Sequence, residues 1–196
     1  MNSSKNILAR FSLLLVLLIP VSVQAHPGHG VTGMEQGLAH PFSGLDHLLA
    51  MLAIGLWAAQ LGGARRWAVP ALFVGVMTLA GGMGLSGVAL PGVEHGIAAS
   101  VMILGLVIAF AVRPPMALTL GMVASFAVFH GFAHGAEMAA GSSAVAYSAG
   151  FVASTALLHA CGFGLGLALV RAARVAPWLR LAGGGIALAG LALSVA

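Results

Sequence analysis

Apolar residues run through this chain in long blocks separated by short polar, proline or glycine breaks. A leading block at 11–21 is followed by six more, at 34–60, 67–90, 94–112, 116–140, 144–170 and 178–196. Each of the six lies near the ~20 residues that an α-helix needs to cross the hydrocarbon core of a bilayer. The pattern predicts an all-α membrane protein, one compact bundle of six transmembrane helices with no soluble domain, long linker or tandem repeat. Glycines recur three or four residues apart within the blocks (Gly81, Gly84, Gly87; Gly162, Gly166), a spacing that lets membrane helices bring their backbones close together.

Composition supports lipid as the solvent. The chain is 60% hydrophobic and 6% charged, with a mean hydropathy of +1.06, and a soluble domain of this length needs far more charge on its surface. The formal charge of +4 comes from eight Lys and Arg set against four acids. It reports a shortage of carboxylates rather than a basic patch, so nucleic-acid binding is not implied. A single cysteine, Cys161, excludes an internal disulfide and a thiolate metal cage. Metal chemistry here must use His, Asp, Glu or Met.

Lys5 and Arg10 precede the first apolar block, and Val23, Gln24 and Ala25 supply small residues of a leader-peptidase site. Cleavage after Ala25 is expected, dividing the chain into a signal peptide (1–25) and a single transmembrane domain (26–196) whose mature N-terminus is periplasmic. Arg65 and Arg66, Arg113, and Arg171, Arg174 and Arg180 all fall in connections that this orientation places in the cytoplasm. The opposite connections, with Pro91 and Gly92 or Gly141, Ser142 and Ser143, carry no Lys or Arg. The two signals agree on a multi-pass protein of the bacterial inner membrane.

Ionisable groups are costly in hydrocarbon and usually mark an ion or substrate route. In the first span, His40 and His47 are separated by seven residues with Asp46 beside them, which on a continuous helix places both imidazoles on nearly one face. Pro41 and Gly44 are positioned to open the helix and release carbonyl oxygens. In the fourth span, His130, His134 and Glu137 fall at i, i+4 and i+7, a stripe of two imidazoles and a carboxylate suited to a borderline divalent metal. Glu94 and His95 open the third span, where they would recruit a cation, although a carboxylate at a helix N-terminus is also favoured by the helix dipole. His159 sits near the middle of the fifth span, either as a ligand or as a structural hydrogen-bonding group. His26 and His29 follow the leader and offer a weak, mobile capture site; Pro27 blocks the amino-terminal chelate built on consecutive amides. The bland alternative for each span cluster is a hydrogen-bonded polar seam between helices.

The strings HPFSGLDH and FHGFAHGAE closely resemble the two signature motifs of the HupE/UreJ family of hydrogenase and urease accessory permeases. The resemblance extends over the mature chain, including the LLHACG segment around His159. It implies uptake of Ni2+, with His40, Asp46 and His47 carried over from the first motif and His130, His134 and Glu137 from the second. Co2+ or Zn2+ remains compatible with imidazole and carboxylate donors. The metal is cargo, and no catalytic cofactor is expected. The implied partners are the ion, the lipid bilayer and a metallochaperone or hydrogenase or urease maturation system downstream. Two other function classes fit fragments of the sequence. Gly84, Leu85, Ser86 and Gly87 reproduce the GxSG string of rhomboid intramembrane proteases, with His159 as a base, and paired transmembrane histidines can ligate haem. Neither accounts for carboxylates inside both histidine clusters.

Overall fold

The computed structural model describes residues 33–138, 141–171 and 176–195. The expected signal peptide, its cleavage site, and His26 and His29 lie outside the described residues. Among those residues the structure is helical, with no strand: α1 (Gly33–Ala39), a 3-10 turn (His40–Phe42), α2 (Leu45–Leu61), α3 (Arg65–Leu85), α4 (Val93–Ala109), α5 (Met116–Ala136), α6 (Ala144–Arg171) and α7 (Ala176–Ser194). Each of the six apolar blocks contains helix. By length and hydropathy α3, α5 and α6 are long enough to cross a membrane, and α1 with α2 makes a fourth crossing if the bent pair is one span. α4 is apolar but has 17 residues. The protein is a multi-pass membrane protein; the length criterion alone does not reach the expected six spans.

The first apolar block is not one continuous helix. Its two halves meet at 79°, because Pro41 lies in the 3-10 turn and Gly44 is extended (φ −109°, ψ 129°). Proline lacks an amide donor, and the glycine leaves helical geometry at the start of α2. The Ser43 hydroxyl donates to the His40 carbonyl at 2.6 Å, satisfying an oxygen that the break releases.

Beyond the bend, α2 is the axis of the bundle. Twelve of its 17 residues are buried, including Met51, Ile54, Trp57 and Gln60, so neighbours surround it on every side. It packs against α6, α4 and α3, while α3 pairs with α5, α4 with α7, and α1 with α6. Glycine sets these pairings at backbone contact. A Cβ at Gly135 would stand 2.0 Å from the Gly81 carbonyl oxygen, at Gly131 2.1 Å from that of Met77, and at Gly162 2.2 Å from that of Leu52. Of the glycines picked out by their spacing, Gly81, Gly84, Gly162 and Gly166 lie at helix contacts, whereas Gly87, past the end of α3, has nothing within 4 Å.

The two ends of the bundle differ chemically. At one end Arg65 donates to the Pro114 carbonyl at 2.6 Å and Arg180 to that of Ala109 at 2.7 Å, with Trp57 and Gln60 donating to Val112 and Ile108. These groups hold the α4–α5 connection, which also contains Arg113 and the positive-φ Ala111. The opposite end carries Glu137, which caps α5.

Candidate metal centre

The break in the first block and the C-terminal end of α5 converge on one cluster. His40, from the 3-10 turn, donates through Nε2 to Glu137 Oε2 at 3.0 Å, with side chains 25% and 48% exposed. That hydrogen bond holds the Glu137 carboxyl below its ordinary range. Behind this pair lies His134, only 2% exposed. One donor atom from each of His40, His134 and Glu137 falls within 4.8 Å of the others.

The imidazoles then descend into the bundle. Ring centroids are 4.6 Å apart for His40 and His134, 4.2 Å for His134 and His47, and 5.2 Å for His47 and His130. His130 is fully buried. Glu137 closes α5 and His130 lies six residues before its last residue, so the descent covers about 9 Å at 1.5 Å per residue.

Hydrogen bonds set which nitrogens are free. His47 Nδ1 donates to Asp46 Oδ1 at 2.8 Å, and the same oxygen accepts from the His47 backbone amide at 2.8 Å. His130 Nδ1 donates to the Phe126 carbonyl at 2.9 Å. In both cases the acceptor assigns the proton to Nδ1, leaving the Nε2 lone pair free in the neutral ring. Neither Nε2, nor either nitrogen of His134, has a hydrogen-bond partner among the described residues. Buried polar atoms in this state require an explanation, and a carboxylate or carbonyl behind a histidine is the usual arrangement behind a metal-binding imidazole. Electrostatics favours a cation here as well. The C-terminal, partially negative end of α5 points into the cluster, and Asp46 in the first turn of α2 opposes that helix's positive end.

The structure brings together His40, His47, His130, His134, Glu137 and Asp46. It does so by a different route from a single helical face, since the 79° bend separates His40 from α2 and the rings meet across helices. Asp46 lies behind His47 as its hydrogen-bond acceptor. Glu94 and His95 are exposed in the first turn of α4 and are absent from the compact donor group. His159 is buried and packs against Phe73, outside the compact donor group.

Sequence reasoning missed the aromatic walls. Phe151 packs 3.9 Å from the His134 ring, Tyr147 stacks near Phe151 and lies 5.9 Å from His40, and Phe73 lies 5.6 Å from His130. Spacing from His130 to His134 shows which face of α5 is polar, but nothing in apolar α3 and α6 marks which aromatics meet it.

The geometry bears on the other two function classes. The Ser86 hydroxyl donates to the Met83 carbonyl at the end of α3, 13 residues and about 20 Å of helix from Phe73, the α3 residue beside His159. A Ser86–His159 dyad does not form. His47 and His134, at 4.2 Å between centroids, are too close to admit a porphyrin between them.

A profile of the HupE / UreJ protein family matches residues 14–193. Protein HupE of Rhizobium leguminosarum bv. viciae is 48% identical over 183 residues, covering 93% of this chain and 95% of that protein. No solved structure matches.

Proposed function

This chain belongs to the HupE / UreJ protein family, and from that footing we propose that it is a permease for a divalent transition-metal ion, nickel first and cobalt second. The observation that carries the reading is the compact donor group of His40, His134 and Glu137, with His47 and His130 next in line and the free nitrogens of His47, His130 and His134 without a partner among the described residues. Imidazole and carboxylate donors suit Ni2+, Co2+ and Zn2+, and they disfavour the softer Cu+.

In this reading the protein crosses the bacterial inner membrane six times after loss of a leader at 1–25, with the arginine end cytoplasmic and the Glu137 end periplasmic. His26 and His29, with Glu94 and His95, gather the ion at the outer surface. His40, His134 and Glu137 receive it and replace part of its water, and His47 and His130 take it deeper. Asp46 and the Phe126 carbonyl keep the two deeper imidazoles oriented with Nε2 inward. Delivery is to a metallochaperone or to a hydrogenase or urease maturation system.

The sequence carries no nucleotide-binding motif, and the membrane potential suffices as a driving force. A divalent ion crossing ~100 mV, inside negative, gains about 4.6 kcal/mol. That supports roughly a thousandfold accumulation, since each ~1.4 kcal/mol is a factor of ten.

The test is uptake of radiolabelled Ni2+ and Co2+ at trace concentration by cells producing wild type, His47→Ala or His134→Ala. Loss in both variants at normal membrane abundance is the expected result. Full uptake in both would make the cluster a helix-packing seam and end the permease reading of these residues.

A further inference from the structure

We propose that His159 forms a second, inner station for the transported divalent cation, with the ring of Phe73 packed against both it and His130; this deepens the permease reading and rests on it. His159 is 4% exposed, and neither of its ring nitrogens has a hydrogen-bond partner among the described residues. A buried imidazole with a purely structural role would find a carbonyl acceptor, as the Nδ1 of His130 does one turn back on its own helix. Leaving a buried polar group unmatched costs about 1–3 kcal/mol, so retention of a histidine here points to a ligand.

Two further donors stand one turn away. Thr155, fully buried and four residues before His159 on α6, donates its hydroxyl to Met77 Sδ at 3.9 Å. Met77 lies four residues after Phe73 on α3, so α3 presents Phe73 and Met77 to the α6 pair His159 and Thr155. Imidazole nitrogen, hydroxyl oxygen and thioether sulfur make a donor set compatible with a borderline cation. Met77 also lines the cavity beside His134, together with Gly131 and Tyr147, so the same side chain borders both stations.

Phe73 packs against both. Its ring centroid is 5.6 Å from His130 and 5.3 Å from His159, at interplanar angles of 60° and 82°. A phenyl ring has no lone pair to offer, and among the described residues His159 makes ring contact with Phe73 and with none of the outer imidazoles, which follow one another in steps of 4.2–5.2 Å. The inner histidine is therefore a separate resting place.

The experiment is metal-binding stoichiometry of the purified full chain in lipid nanodiscs, by equilibrium dialysis against saturating Ni2+ or Co2+. Wild type should hold two ions, and His159→Asn and His134→Ala one each. A second variant, His159→Cys in a Cys161→Ser background, should develop a thiolate-to-metal charge-transfer band on addition of Co2+. The background change is needed because Cys161 is an exposed free thiol, and the Cys variant decides the matter alone if His159→Asn does not reach the membrane. One ion in wild type, lost in His134→Ala and kept in His159→Asn, overturns the inner station and leaves the outer cluster standing. Wild type that binds no ion removes both. Absence of the charge-transfer band also counts against a station at position 159.

Discussion

Replacing Gly135 with alanine adds one methyl group beside the metal cluster, and the structure says how far its neighbours must move. The new Cβ would lie 2.0 Å from the carbonyl oxygen of Gly81, whereas real contacts of this kind stay beyond 3.0 Å. α3 and α5 must separate by about 1 Å, because the obstructing atom is backbone and has no rotamer to change. α5 cannot yield inward either, since the adjacent His134 ring already packs 3.9 Å from Phe151. Overpacking of this kind costs ~1–3 kcal/mol, and the better helix propensity of alanine returns ~0.5–1 kcal/mol. A net loss of about 0–2.5 kcal/mol follows. The effect on function should be larger, because ligand distances tolerate only ~0.2 Å and the shift is several times that. The assay pairs thermal unfolding in detergent with uptake of radiolabelled Ni2+ normalised to membrane abundance. Gly82→Ala is the control, one residue along from Gly81 with nothing within 4 Å of its Cβ; it should keep wild-type uptake and gain ~0.5–1 kcal/mol of stability from the helix propensity of alanine. If Gly135→Ala melts and transports like Gly82→Ala, the close α3–α5 contact does not position the histidines.

Asp46→Asn should weaken Ni2+ binding by 10–100-fold, the usual effect of losing a carboxylate behind a metal-binding imidazole; equilibrium dialysis showing a change under twofold would remove Asp46 from that role. Glu137 has a lowered pKa through its bond from His40, so its contribution to stability is present above the ordinary carboxylate value of ~4.3 and is lost as pH falls through the lowered value. Wild type should therefore melt higher than Glu137→Gln at neutral pH, with the gap closing under strong acid; a gap unchanged by acid would refute this. Trp57→Phe removes the 3.2 Å bond to Val112 and leaves space in a fully buried site. It should cost about 1–3 kcal/mol in thermal unfolding while uptake per folded molecule stays normal, because Trp57 holds the arginine end.

The residues of the cluster were legible because each is an ionisable group in an apolar block, where it has few bland reasons to exist. Pro41 and Gly44 also marked the place where the helix opens. The size of the opening was not legible, and the shared face inferred for His40 and His47 assumed a straight helix that the 79° bend replaces. The hydrogen bonds of Asp46 to the ring and amide of His47 were not legible, because spacing alone cannot distinguish a carboxylate that touches a metal from one that holds the imidazole touching it. Phe73, Tyr147 and Phe151 were silent for another reason. In helices that are apolar around most of their circumference, a buried aromatic facing a histidine looks like one facing lipid. The count of spans depends on whether a bent pair, the 17-residue α4 and the 19-residue α7 are treated as crossings, which hydropathy blocks cannot resolve.

The bond between His40 and Glu137 joins residues 97 positions apart, and this has a consequence for biogenesis. A ribosome that has delivered the first two helices into the bilayer has supplied His40, Asp46 and His47, but not the half of the site on α5. Three further helices must be inserted before His130, His134 and Glu137 arrive. The growing chain thus cannot assemble the full donor set, and the site becomes competent only when α5 docks against α3 along its glycine seam. Completion of the donor set and docking of α5 are then a single event, with α6 and α7 still to follow, so a chain arrested before α5 carries only an incomplete ligand shell.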